Sequence, residues 1–378
     1  MNFTQVIKEK AYQMGFSLVG ITSCDPLPHG DVFTQWLEQG RHGQMAYMDT
    51  LRSRQSRANP SLLLDGCKSV LVLGIRYPKP ISGEENKQAE DRPFGKLAAY
   101  AWGEDYHAFL PSRLKNLVSF IETQLGYSIP NRWYSDTGPV LERELAQRAG
   151  LGWIGKNTCL INPHKGSYFL LAEILLGVEL EPDQPFSVDR CGSCTRCIQA
   201  CPTGCILPDR TLDGRQCISY LTIELKGAIP EELRSLMGNW VFGCDVCQQV
   251  CPWNRFADEK ADPDYDKLQA QPAPDLLEQL NLTVETFNQK YRHSPIKRTK
   301  RRGYLRNVAV ALGNLQEPRA IPRLVQILHD ESEPLVRAHA AWALGQIGGV
   351  VARQNLERAL GEELDLSVNE EIHNSLFK

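Results

Sequence analysis

No stretch of the sequence comes close to the ~18 consecutive apolar residues that a membrane-spanning helix requires, so a soluble protein is expected. The opening residues, Met1-Asn2-Phe3-Thr4-Gln5-Val6-Ile7-Lys8-Glu9-Lys10, hold neither the apolar core of a signal peptide nor a twin arginine. A cytoplasmic location is therefore expected, where thiols stay reduced and clustered cysteines read as metal sites rather than disulfides. Excess charge is lacking too. The formal net charge is -3 over 378 residues, which excludes the global basicity of a general nucleic-acid binder. Acidic residues are also missing locally. Thr286 to Gln316 contains no Asp or Glu, yet it carries Lys290, Arg292, Lys297, Arg298, Lys300, Arg301, Arg302 and Arg306. Such a block in an acidic chain suits a phosphate backbone; a solvated charged face or a basic linker is the plainer reading.

Cysteine, by contrast, is plentiful, and its spacing is informative. Cys191-Gly-Ser-Cys194-Thr-Arg-Cys197-Ile-Gln-Ala-Cys201-Pro202 is C-x2-C-x2-C-x3-C-P. A second, incomplete copy follows as Cys217 and then Cys244-Asp-Val-Cys247-Gln-Gln-Val-Cys251-Pro252. In two-cluster ferredoxins the fourth cysteine of such a run ligates the other cluster. Applied here, Cys191, Cys194 and Cys197 take Cys251, while Cys244 and Cys247 take Cys201 and Cys217. That predicts two four-thiolate cages, each suited to a [4Fe-4S] cluster. Zinc needs only four ligands at tetrahedral spacing. It gives no reason for the x2, x2, Cys-Pro order or for its repetition. Cys24, Cys67 and Cys159 stand singly and read as core packing, and Cys205 is a spare thiol with no assigned role.

The fold class expected is α+β in three parts: residues 1–182 mixed α/β, 183–260 a ferredoxin-like module, and 275–378 HEAT-like helical repeats. In the first part, Phe3 to Met14 reads as an amphipathic helix with Val6, Ile7, Ala11 and Met14 on one side, and Ser69-Val-Leu-Val-Leu-Gly-Ile as a buried strand. Pro139 to Ala149 reads as a helix ended by Gly150. Thr158 to Asn162 and Tyr168 to Leu176, joined by Pro163-His-Lys-Gly-Ser, suggest a hairpin. A Pro/Asp-rich link, Ala261 to Pro274, leads to the last part. There, Ala311-Leu-Gly-Asn-Leu and Ala343-Leu-Gly-Gln-Ile recur 32 residues apart on alanine-rich helices, with glycine stops and a further helix from Arg323 to His329. The fixed period argues for a solenoid, a plain bundle being the alternative. Neither solenoid nor clusters need a second chain, so a monomer is expected.

The strings Ala98-Ala-Tyr-Ala-Trp-Gly-Glu-Asp-Tyr-His107, Tyr134-Ser-Asp-Thr-Gly-Pro139 and Glu142-Arg-Glu-Leu-Ala-Gln-Arg-Ala-Gly-Leu-Gly-Trp-Ile-Gly-Lys-Asn157 accompany the cysteine runs and the helical tail. Together they resemble the epoxyqueuosine reductase family over essentially the whole chain. The resemblance implies reduction of epoxyqueuosine to queuosine at the tRNA wobble position, with two electrons passed through [4Fe-4S] clusters to cobalamin. It implies a cobalamin-binding catalytic domain at 1–182, similar in fold to reductive dehalogenases, and a tRNA-binding domain at 275–378. The partners implied are tRNA carrying epoxyqueuosine, engaged at its anticodon stem-loop, and an external electron donor. No D-x-H-x-x-G motif is present, so a base-off cofactor is expected.

The family match makes Asp136 the candidate proton donor; the residue type alone favours a cap for the helix starting near Pro139. A carboxylic acid beside a corrin and a bound base is desolvated, which raises its pKa toward a useful value. Arg57, Tyr100, Asp136, Lys156, Asn157 and Ser167 are the implied cofactor contacts, together with the backbone of Asp245 and Val246; Tyr106 and His107 are implied to face the substrate, an ordinary packed pair being the alternative. Rival readings are a ferredoxin-like electron carrier, which needs no basic block, and a cobalamin-dependent dehalogenase, a class that usually carries export signals. A zinc-knuckle RNA scaffold is a third, and it would be colourless.

Overall fold

The computed structural model describes residues 2–80, 92–257, 262–263 and 270–377. The expected end of the cluster module at 258–260, and residues 261 and 264–269 of the link, lie outside the described residues. The chain forms two compact units, each discontinuous in sequence. The first comprises Met1–Pro80, Gly103–Arg215 and Val246–Lys267; the second comprises Ile81–Trp102, Gln216–Asp245 and Leu268–Lys378. Among the described residues no helix is long and apolar enough to cross a membrane.

The first unit is built on a four-stranded sheet in the order Leu18–Thr22, Ser69–Arg76, Phe169–Leu176, Asn131–Tyr134, antiparallel throughout. Ser69–Arg76 is buried along almost its whole length because it has a neighbour on each side. The helix Phe3–Gln13 is capped by the Asn2 side chain accepting from Thr4 N–H, and it buries Ile7 and Ala11, with Val6 and Met14 half-buried. One sheet face, with Leu18, Val70, Val72 and Leu175, packs on Val140, Leu145, Ala146 and Ala149 from the segment holding the helix Glu142–Arg148. Each large apolar side chain buried this way contributes about 1.5–3 kcal/mol.

Two expectations fail in this unit. The apolar runs after Asn157 do not pair as a hairpin. Leu160–Ile161 pairs with Trp153–Ile154, and Phe169–Leu176 inserts between Ser69–Arg76 and Asn131–Tyr134. A strand apolar on both faces is satisfied only by covering both, and its partners lie far away in sequence. The intervening turn does form, with Asn162 and Gly166 exchanging backbone hydrogen bonds and Gly166 at φ +73°. The second failure concerns Cys24 and Cys67, which are bonded as a disulfide across 43 residues. The compartment argument concerns exchange with surrounding thiols; it does not register that the fold brings these two side chains together at the edge of one core cluster. Cys159 is a half-buried thiol rather than a core residue.

The second unit has a short parallel pair, Lys96–Leu97 with Trp240–Phe242, and the helices Lys300–Asn314, Ile321–Asp330, Pro334–Ile347, Val350–Glu362 and Leu366–Leu376. The two repeat strings fall on Lys300–Asn314 and Pro334–Ile347, which pack on each other. Gly313 and Gly345 are not stops but lie inside these helices, at the crossings. A Cβ on Gly313 would sit 2.6 Å from Trp342 Cζ3 and 3.1 Å from Ala343 Cα. Gly313→Ala is therefore expected to cost about 1–3 kcal/mol by overpacking, read as a lower denaturation midpoint of the full chain. Gly361→Ala, a helical glycine whose Cβ would meet nothing within 4 Å, is expected to be neutral or stabilising.

Candidate active site

The loop Tyr134-Ser-Asp-Thr-Gly-Pro139 leaves the edge strand Asn131–Tyr134 and leads to the helix Glu142–Arg148. Asp136 is its apex, at φ +59°, with Thr137 N–H folded back on Ser135 O at 2.6 Å. A left-handed backbone is unfavourable for residues with a Cβ by about 1–2 kcal/mol, and Asp is among the few that visit it. Gly138 allows the tight path, since a Cβ there would lie 2.4 Å from Tyr134 Cγ. Asp136 does not cap the helix. The helix begins at Glu142, three residues later than expected, and Asp136 N–H donates to Glu142 Oε1 at 2.7 Å.

The Asp136 side chain is 50% exposed. Its Oδ2 accepts from the Tyr106 hydroxyl at 3.0 Å and lies 3.8 Å from His107 Nε2. His107 is held from its other side, with Nδ1 2.8 Å from Asp105 Oδ1. Asp105 caps the helix Tyr106–Leu125 by accepting from His107 N–H. One capped helix start thus presents both rings to Asp136.

Two carboxyls beside Asp136, those of Glu142 and Glu173, are raised by burial. Burial, and then the Asp136 charge, push Glu142 up to about 7; Arg143 and Arg57 oppose the shift. Burial drives Glu173 well up, reinforced by Glu142 and Asp136. Glu173 is 0% exposed, and among the described residues neither of its carboxyl oxygens has a hydrogen-bond partner. Carboxyls raised in this way hold protons in the folded state. Their contribution to stability is full below the ordinary carboxyl range; that of Glu142 fades as pH climbs through about 7, and that of Glu173 is lost as pH rises through its own raised pKa. Sequence reasoning missed both as site residues. The available signal was one acid inside an otherwise apolar strand, Phe169-Leu-Leu-Ala-Glu-Ile-Leu-Leu176.

The first predicted thiolate set converges. Cys191, Cys194, Cys197 and Cys251 line one hollow, together with Lys156, Asn157 and Trp253. Cys194 N–H turns back on Cys191 O at 3.0 Å around Gly192 at φ +50°. Lys156 Nζ ties this loop by donating to Gly192 O at 2.7 Å and Cys194 O at 2.9 Å. Trp153 Nε1–H donates to Cys191 Sγ at 3.4 Å. Burial, and then neighbouring thiols, push Cys251 up to about 11. A thiol buried in this way resists ionisation alone and suits a metal core that takes up its charge. Of the second set, Cys201 and Cys247 belong to the first unit, and Cys217 and Cys244 to the second. Cys205, unassigned from sequence, is buried with its sulfur 3.5 Å from Cys201 Sγ.

Known proteins resemble the chain along most of its length. Residues 57–137 match the family described as epoxyqueuosine reductase QueG, DUF1730. Residues 190–254 match the 4Fe-4S double cluster binding domain, and 301–376 match HEAT repeats. The epoxyqueuosine reductase of Cyclobacterium marinum is 42% identical over 81% of this chain and 95% of its own. The chain belongs to the epoxyqueuosine reductase family. The Escherichia coli epoxyqueuosine reductase is 40% identical over 90% of this chain and 88% of its own. A crystal structure of an epoxyqueuosine reductase with an epoxyqueuosine-modified tRNA-Tyr stem loop covers 99% of both chains at 31% identity, with a TM-score of 0.89. The Bacillus subtilis epoxyqueuosine reductase, solved with an aspartate catalytic loop swung out of its active site, matches with the same TM-score, identity and coverage.

The other residues singled out by likeness to epoxyqueuosine reductases are largely occupied within the protein. Arg57, 7% exposed, donates to Ser53 Oγ and, at 3.5 Å, to Gly138 O. Ser167 Oγ bonds Gln248 Oε1 at 2.9 Å, and Asn157 Nδ2 donates to Cys247 O at 3.4 Å. Val246 opens the turn Val246–Gln249. In the second unit, Asp245 Oδ2 accepts from Ala99 N–H at 2.6 Å and Tyr100 packs near Phe242.

The basic block divides in two. Arg306 is 0% exposed and donates to the backbone carbonyls of Leu221, Leu225 and Gly227. Arg301 is paired with Glu331 at 2.6 Å and Arg298 with Glu224 at 2.7 Å; Lys290 is on Gln279 at 3.0 Å. Arg302 stands 3.8 Å from Glu333. Arg292, Lys297 and Lys300 are exposed. The expectation that every cation from Lys290 to Arg306 is offered to phosphates fails at Arg306, which is part of the core.

Proposed function

We propose that this protein reduces epoxyqueuosine to queuosine at the wobble position of tRNA, using electrons from an external donor. The observation that carries the reading is Asp136: a strained, half-exposed carboxyl held by a tyrosine hydroxyl and faced by an imidazole. Tyr106 donates to Oδ2 and steadies the carboxylate once the transferable proton has left for the epoxide oxygen. The Bacillus subtilis relative, with its aspartate catalytic loop, supports assigning this role to Asp136.

Two [4Fe-4S] clusters and cobalamin are the cofactors of this reading. The first cluster would be held by Cys191, Cys194, Cys197 and Cys251, the second by Cys201, Cys217, Cys244 and Cys247. When bound, clusters carry electrons singly and cobalamin supplies a low-valent cobalt as reductant. Cobalamin contacts are assigned by resemblance to Arg57, Tyr100, Asp136, Lys156, Asn157, Ser167, Asp245 and Val246. Lys156, Asn157, Ser167 and Asp245 already bond within the protein, so they offer mainly backbone and side-chain stems. The functional division follows 1–182 for catalysis, 183–260 for clusters and 275–378 for tRNA, with a monomer acting in the cytoplasm.

The deciding experiment is an anaerobic assay of reconstituted protein with cobalamin, a strong reductant and tRNA bearing epoxyqueuosine. Nucleoside mass spectrometry should record loss of one oxygen, dependent on cobalamin; no loss with all cofactors verified as bound would reject the substrate. RNA contact is tested separately. Charge reversal at Arg292, Lys297 and Lys300 is expected to weaken stem-loop binding and to lower the salt slope by about 2–3. Unchanged affinity across a salt series would remove this face from the interface.

A further inference from the structure

Taking the oxygen out of an epoxide to leave a carbon–carbon double bond breaks two C–O bonds and forms one C=C bond. The oxygen leaves as water, so two electrons and two protons are consumed. The electron donor of the reaction supplies the electrons. Asp136 accounts for one proton, and a half-exposed loop carboxyl cannot hold two.

We propose that Glu173 and Glu142 store the second proton and return it to Asp136, so that a three-carboxyl cluster completes the departing water. The proposal rests on Asp136 as the proton donor. Glu173 lies in the strand Phe169–Leu176, opposite Tyr134 and Val72, with Leu171 and Leu175 on the same face. That face is covered by the segment holding the helix Glu142–Arg148. An ionised carboxylate there would cost several kcal/mol, so Glu173 carries its proton. Buried polar groups that serve only structure are nearly always hydrogen-bonded; among the described residues Glu173 has no such bond.

The charges acting on Glu173 are Glu142 and Asp136. Those acting on Glu142 are Asp136, Arg143 and Arg57, while Tyr106 and His107 attend Asp136. Glu142 is anchored to the Asp136 backbone at 2.7 Å, which fixes it beside the acid. Glu173 and Glu142 are coupled through charge rather than by a direct hydrogen bond, so the proton crosses between them through a bridging water or a side-chain rotation. When Asp136 gives up its proton, the new negative charge draws the stored one toward it. Glu142, titrating near 7, is suited to exchange in both directions.

The test uses reconstituted holoenzyme under anaerobic multiple turnover with the modified stem loop, from about pH 6 to about pH 9, bracketing the Glu142 titration. Glu173→Gln keeps the shape and removes the proton. It is expected to match wild type at the acidic end and to lose about tenfold in kcat per pH unit through neutrality, with KM unchanged, because solvent must then supply the proton. Glu173→Asp should recover most of the profile. Glu142→Gln should reproduce the pH dependence and stands in should Glu173→Gln fold poorly. Infrared difference spectra should show, in wild type and in Asp136→Asn, a protonated carboxyl band that persists above the Glu142 titration and is missing in Glu173→Gln. A Glu173→Gln profile superimposable on wild type, or lowered equally at every pH, overturns the proposal. So does a pH-dependent loss confined to His107→Gln, which would put the second proton on the Asp105–His107 side. Undiminished turnover in Asp136→Asn removes the donor assignment instead, while the infrared band still reports on Glu173.

Discussion

Asp136→Asn is expected to lose about 10²–10⁴-fold in single-turnover rate, the usual worth of a positioned general acid. Cluster content, cobalamin binding and stem-loop affinity should stay at wild-type levels. The expectation rests on geometry. Asn can occupy the left-handed apex about as well as Asp, can still accept from the Tyr106 hydroxyl, and keeps the Asp136 N–H bond to Glu142. Only the acidic proton is removed. Rapid-quench sampling of the modified nucleoside under anaerobic conditions reads the rate directly. A rate within a factor of two of wild type would assign the proton to another group, with His107, 3.8 Å from the same oxygen, as the first alternative.

Cys251→Ser should have the other large effect: loss of one cluster, seen as a fall from about eight to about four irons per chain, with catalysis abolished. The residue is remote in sequence from Cys191, Cys194 and Cys197 but shares their hollow. If each run instead served its own cluster, Cys201→Ser would damage the cluster built on Cys191. In the crossed arrangement Cys201→Ser damages the other one. Iron analysis together with electron paramagnetic resonance of the two variants separates these cases. Full iron content in Cys251→Ser would dismiss the crossed cage. Zinc in place of iron would dismiss the redox reading altogether.

What could be read from the sequence divides along physical lines. Cysteine spacing was legible for Cys191, Cys194 and Cys197 because short loops hold them together, whereas Cys251 was placed with them by the ferredoxin pattern, and the structure has all four lining one hollow. The strand Ser69–Arg76 and the repeat helices were legible because periodicity and burial are local properties. Pairing was not, since the partners of Phe169–Leu176 lie on distant segments that no local pattern names. The Cys24–Cys67 bond was hidden for the same reason. At the site, Asp136 came from resemblance, while Glu173 went unread, because the meaning of an acid in an apolar strand depends on neighbours that no local pattern names. Arg306 shows the reverse error. A cation inside a basic block looks available to phosphate, yet its guanidinium is consumed by three backbone carbonyls.

The shared hollow of Cys197 and Cys251 has a consequence for how the protein is made. A cluster held there closes segment 198–250 into a loop, and the closure must wait until the ribosome has delivered residue 251. A nascent chain halted after Cys201 has all four sulfurs of the first run but lacks the fourth ligand of its cage. With Cys251 as the fourth ligand, iron loading would be tied to late synthesis. Oxidative loss of that cluster would reopen the loop and return part of its closure entropy to the chain, while the bonds from Arg306 to Leu221, Leu225 and Gly227 would still hold the middle of the segment.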